Sequence, residues 1–243
     1  MSTNLLNPKK KPAPKVGANG RKSLTRPGDI VINGSAHIPP WVTDHDSFRR
    51  WSRSDSFPKR GKFFYFDGEL WVDLSMETAV HNQIKTIIAI VVGSIVLNEA
   101  LGRYVCDRMM LANVAAALSG EPDGMFISNE SFARGFVTLE EGDQSLEIVG
   151  TPDMTLEVIS KTSVSKDMGT SMDRYAKAGV AEYWLVDSTI ETPELIILRL
   201  VAGKYVTARK HDGWVKSKVF GRSFRLRCKK DAKGVSHFNL ETK

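Results

Sequence analysis

Cysteine is scarce: Cys106 and Cys228 are the only two in 243 residues. Neither has a partner at metal-binding spacing, so neither a disulfide framework nor a zinc site is expected, and the thiols fit a reducing cytoplasm. Long apolar runs are also missing. The longest, Ile87 to Leu97, falls short of the roughly 20 residues of a membrane span. Residues 1–15 have no apolar core before a small-residue cleavage site, so no secretory signal is expected. A Gly-rich phosphate loop and a Ser-His-Asp arrangement are absent, and no small-molecule cofactor is expected.

Acidic residues are absent from residues 1–26, which hold seven Lys or Arg. The other residues carry 27 basic and 28 acidic side chains, a net of −1 against +6 for the whole chain. The basic character therefore belongs to the tail, and the remainder offers no overall argument for nucleic-acid binding. Residues 1–38 read as a basic tail, either plainly disordered, which the composition favours, or a DNA-gripping arm. Residues 39–243 read as one domain.

Within that domain the spacing predicts a helix in Trp41–Trp51, capped by Thr43 or Asp44. A hairpin follows over 61–75, turning at Asp67-Gly68. Ile84, Ile87, Ile88, Val91 and Ile95 recur at helical spacing and predict a helix from about Glu77 to Leu101. "RYVCDRMMLA" reads as one strand and "EPDGMFIS" as another. The apolar strand "DMTLEVIS", a helix over about 166–178 and the strand "AEYWLVD" make a βαβ unit. "ELIILRLVAGKYV" reads as a hairpin and "FGRSFRL" as a last strand. This order argues an α/β fold with a mixed sheet.

Burying a carboxylate is costly without a partner. Two acids nevertheless stand at apolar strands: Asp123 after Pro122, and Glu157 inside Met154–Ile159. Alternation puts Asp153, Thr155 and Glu157 on one strand face. Carboxylates converging from adjacent strands suit a hard cation such as Mg²⁺, and a nearby lysine suits phosphodiester hydrolysis; salt bridges and capping are the alternative. Glu77 and His81 are i, i+4 neighbours, either reaching into such a site or merely capping the helix. Tyr175, Tyr183 and Trp184 fit core packing.

The stretch "PDMTLEVISKTSVSKDMGTSMDRYAKAGVAEYWLVD" (152–187), with its Gly-Val-x-Glu-Tyr-Trp block at 179–184, resembles the Uma-two family of the PD-(D/E)XK nuclease superfamily. "EPDGMFIS" resembles that family's earlier Pro-Asp strand, and His81 its helix histidine. The resemblance spans roughly residues 60–210. It implies a restriction-endonuclease-like core, a mixed sheet flanked by helices, with an extra N-terminal hairpin and C-terminal strands. It implies a DNA endonuclease using Mg²⁺ or Mn²⁺, with Asp123 and Glu157 as metal ligands, Asp153, His81 and Glu77 in support, and a homodimer. The chain departs from the pattern at the lysine: Ile159 and Ser171 occupy the two positions where relatives carry one. The nearest replacements are Lys161, Lys166 and Lys177, of which Lys166 is favoured over Lys161 and Lys177 is expected on the outer face of the helix. Without any of these, the fold would serve as a binding or scaffold module.

Overall fold

The computed structural model describes residues 30–32 and 36–243. Two compact units divide after Pro40. In the first, β1 (Ile30–Ile32) pairs antiparallel with β2 (Ala36–Ile38). The rest of the expected basic tail lies outside the described residues.

The second unit opens with α1 (His45–Ser52). Asp44 is its N-cap: the carboxylate accepts from the Ser47 N–H at 2.7 Å while the Ser47 hydroxyl accepts from the Asp44 N–H, a capping box. The aromatic run then forms β3 (Lys62–Phe66) and turns back into β4 (Glu69–Asp73). Asp67 and Gly68 both have positive φ there, as a tight two-residue hairpin requires. The long helix is α2 (Ala79–Asn98), capped by Thr78. It is long and apolar enough for a membrane span by length and composition. Here Ile84, Ile88, Val92 and Val96 are buried in the core.

"RYVCDRMMLA" is not one strand. It breaks into β5 (Gly102–Cys106) and β6 (Met110–Asn113), which join different sheets. Arg108, at φ 72°, makes the break. Next come β7 (Leu118–Gly120), β8 (Gly124–Ser128), the short α3 (Asn129–Ala133), β9 (Val137–Thr138) and β10 (Glu147–Gly150). The βαβ unit follows: β11 (Met154–Ile159), a π-helical turn over Lys166–Thr170 running into α4 (Ser171–Lys177), and β12 (Glu182–Asp187), parallel to β11. The hairpin of β13 (Glu194–Val201) and β14 (Lys204–Thr207) is as expected. The chain closes with β15 (Lys210–His211), β16 (Trp214–Lys216), β17 (Ser223–Lys230) and β18 (Ser236–Thr242), one strand more than the pattern suggested after "FGRSFRL".

The central sheet runs β14-β13-β12-β11-β8-β5. One face, with Met154, Leu156, Val158, Trp184 and Val186, packs with α2 and the closing strands. The other, with Ile159, Tyr183 and Leu185, packs with Tyr175 of α4 and with the second sheet, β4-β3-β7-β6-β10-β9. The domain is thus a mixed α/β fold.

Candidate active site

Pro122 and Asp123 mark where the β8–β11 ladder ends. The antiparallel register runs to Leu156 opposite Gly124. Pro122 has no N–H to carry it further, and the Asp123 carboxylate instead accepts the Val158 N–H at 2.7 Å. One register step beyond the last pair, Asp123 stands opposite Glu157. Residues directly opposite in an antiparallel pair share a face at close range. Backbone geometry alone therefore brings the two acids into one cleft.

The cleft holds about 200 Å³ and is lined by Lys62, Glu77, His81, Asp107, Asp123, Glu157, Lys166 and Asp167 among others. Lys62 of β3 is ion-paired to Asp123 and lies 3.2 Å from Asp107. Lys85 of α2 contacts Asp107 at 2.6 Å and Asp123 at 3.7 Å, and also pairs with Glu77. Glu157 accepts the Tyr175 hydroxyl at 2.9 Å. Lys166 lies 3.7 Å from Glu157, is ion-paired to Asp167, and sits 3.9 Å from the centre of the Phe64 ring. In the π-helical turn the sequence neighbours Lys166 and Asp167 are both buried.

Burial acts first on every one of these charges. It would raise the Asp123 carboxyl, but the Lys62 ammonium, with His81 and Lys85, holds it well below the carboxylate range. Lys62 and Lys166 are held above the usual lysine value, against burial, by the carboxylates around them. For Glu157 burial prevails, helped by Asp167 and Asp123, and its carboxyl is pushed up to about 8. Asp73, Glu77, Asp107, Asp123, Glu157 and Asp167 face Lys62, Lys85, Lys166 and Arg108. Acidic groups thus outnumber basic ones around the cleft, and Glu121, paired with Arg108, adds a further one.

The donor set fits a divalent cation on a second ground. Ligand atoms of Glu77, His81 and Asp123 lie within 4.8 Å of one another. His81 is buried and neither ring nitrogen has a hydrogen-bond partner among the described residues. Its Nε2 is 3.5 Å from Asp123 and 3.7 Å from Glu77. A buried polar group without a partner is costly, and a metal ion is one way to satisfy it.

Asp123, Glu157, Lys166, His81 and Glu77 thus share the cleft. Asp153 and Lys161 do not. Asp153 shares a strand face with Glu157, but four residues of strand separate them by about 13 Å. Its carboxylate accepts the N–H and hydroxyl of Ser128 instead, at 2.7 and 3.1 Å. Lys161 is exposed, carried outward by a turn in which the Ser163 hydroxyl accepts the Ser160 N–H. Reading the sequence missed Lys62, Lys85, Asp107 and Asp167. Lys85 had a signal: it continues the Glu77, His81 spacing by four, as a lone charge in an apolar run. Lys62 had none.

The comparisons with known proteins agree with this fold. Residues 45–227 match the model of the Uma2 family, described as "Putative restriction endonuclease". A solved structure from Anabaena variabilis ATCC 29413, described as "a putative nuclease belonging to DUF820", superposes with a TM-score of 0.54. It is 17% identical, covering 73% of this chain and 90% of that one, a likeness of fold. No curated protein matches. A family match over three-quarters of the chain, on a fold that brings the Pro-Asp and Glu-Val segments together, makes this protein a member of the Uma2 family.

Proposed function

We propose that the protein is a metal-dependent endonuclease that hydrolyses DNA phosphodiester bonds. The observation that carries this reading is the convergence of Asp123 and Glu157, with Lys166 beside them, in a cleft where acidic groups outnumber basic ones. Asp123 and Glu157 would hold Mg²⁺ or Mn²⁺, with His81 and Glu77 alongside. A bound ion supplies Lewis-acid polarisation of the phosphate and an acidified water. The chain's own groups do the positioning. The Val158 N–H fixes Asp123 and the Tyr175 hydroxyl fixes Glu157. The Lys166 ammonium, packed on Phe64, stabilises negative charge as it develops on the phosphate. Cutting both strands of a duplex calls for two such sites, so we propose a homodimer; sedimentation showing only monomer at micromolar concentration would count against it.

Purified protein should nick plasmid DNA with Mg²⁺ or Mn²⁺, and Glu157→Ala should abolish the nicking. Unchanged cleavage by that variant overturns the assignment. One observation favours a second reading, a nuclease fold kept as a binding module. Lys62 and Lys85 already neutralise Asp123, and Ser171 stands where relatives carry a lysine. Calorimetric titration with Mn²⁺ separates the two: measurable binding that Asp123→Ala removes supports the enzyme, and no binding supports the module.

A further inference from the structure

The near-neutral sum over residues 27–243 conceals two opposed regions. Residues 27–200 carry 15 basic and 25 acidic side chains, while residues 201–243 carry 12 basic and 3 acidic. The second set builds the closing sheet, whose order is β15-β16-β17-β18. Strand alternation sorts its side chains cleanly. Val215, Phe224, Phe238 and Leu240 face inward and are buried in the core. Lys216, Arg225, Arg227 and Lys229 take the other face, together with Lys243. Arg227 and Lys229 are exposed.

The one carboxylate facing them from the neighbouring strand is Glu241, 2.6 Å from Arg225 and 3.5 Å from Arg227. It leaves Lys216, Lys229 and Lys243 without an acidic partner among the described residues. Trp214 lies among these cations, with Arg225 at 4.3 Å and Lys243 at 4.4 Å from the ring centre. A flat face of spaced cations around one indole complements a polyanion.

We infer that the outer face of this sheet is a docking surface for the sugar–phosphate backbone of duplex DNA. This inference rests on the nuclease reading for the identity of the polyanion, and it names where the substrate is held outside the cleft. Helix α2 connects the two places. Its N-terminal turn carries His81 into the cleft, and Glu99, just past its C-terminus, pairs with Arg222 at the edge of the closing sheet. Twenty residues at 1.5 Å each give about 30 Å, which a duplex spans in roughly nine base pairs at 3.4 Å. Such backbone contacts add affinity without sequence preference.

The test uses the full chain in EDTA, so that cleavage plays no part. Binding of a fluorescein-labelled 20-base-pair DNA duplex is followed by anisotropy across a salt series. Each phosphate contact contributes roughly 0.9 to the slope of log affinity against log salt. Arg227→Gln with Lys229→Gln should lower that slope by about 2 and weaken binding at least about tenfold near 0.1 M salt, with the melting temperature unchanged. Lys216→Gln with Lys243→Gln should act the same way, an independent check at other positions. Unchanged affinity and slope in both variants overturn the inference, since cations elsewhere are common to all three proteins. Tighter binding of an RNA duplex of equal length overturns DNA as the partner. Loss of duplex affinity in the variants, with no nicking by the parent chain, would sink the nuclease reading and keep this surface. Normal nicking with unchanged affinity would do the reverse.

Discussion

Glu157 and Glu182 stand on neighbouring strands of the central sheet, both almost completely removed from solvent, on opposite faces. Glu182 is fully provided for. Its oxygens accept from Trp184 Nε1 at 3.0 Å, the Ser217 hydroxyl at 2.6 Å and the Lys218 N–H at 2.6 Å. Those donors tie the closing strands to the central sheet. Glu157 has one hydrogen bond, from Tyr175, a lysine 3.7 Å away and two further carboxyls nearby. Burial alone does not distinguish a functional acid from a structural one. The distinction lies in whether the surroundings supply enough donors and leave any space.

The sharpest test of that contrast is a pair of substitutions. Glu157→Gln should cost at least about a thousandfold in plasmid nicking, at the upper end of what removing one transition-state contact costs, and leave the melting temperature intact or raised. Glu182→Ala should do the opposite. It strands the Trp184, Ser217 and Lys218 donors and should destabilise the fold by about 3 kcal/mol, read by urea denaturation. If both variants lose stability equally, the contrast fails.

A second test uses pH. The Glu157 carboxyl is raised in the folded chain above the ordinary glutamate value, to about 8, by burial with Asp167 and Asp123 beside it. Its stabilising contribution is therefore present at acid pH and is lost as pH rises from about 4.5 through 8. Metal-free protein should lose stability across that window relative to Glu157→Gln, in denaturation curves taken in EDTA. A constant difference between the two proteins would show that burial does not dominate at this carboxyl. The smallest effect belongs to Tyr175→Phe. Losing one hydrogen bond to Glu157 should lower the nicking rate at least about tenfold, in line with roughly 1.5 kcal/mol, the low end for a bond to a charged group, and leave the fold in place.

What the sequence revealed of this contrast follows from range. Asp123 and Glu157 were readable because local rules produce them: a proline ends a strand, and an acid interrupts an apolar one. The Gly-Val-x-Glu-Tyr-Trp block was readable as a pattern, but its physical basis was not, because the Glu182 donors Ser217 and Lys218 lie some 35 residues downstream. Lys62 escaped notice for the same reason, reaching Asp123 from a strand of another sheet. Asp153 was misplaced because alternation reports which face a side chain takes and says nothing of how far along the strand it lies. The basic sheet face was hidden by summing charge over a region that folds into an acidic part and a basic one.

The single π-helical turn over Lys166–Thr170 bears on how this lineage changes. Neighbours in an α-helix stand about 100° apart; here Lys166 reaches Glu157 and pairs with Asp167, and both are buried. Turns of this kind occur mostly as single-turn bulges inside α-helices. Removing one residue there, Gly169 for example, should rotate Lys166 relative to Tyr175 and displace the Asp167 carbonyl that the Tyr183 hydroxyl bonds, read as a lower melting temperature. A one-codon event there would thus separate Lys166 from Glu157, so the fold and the arrangement of its cleft can be inherited separately.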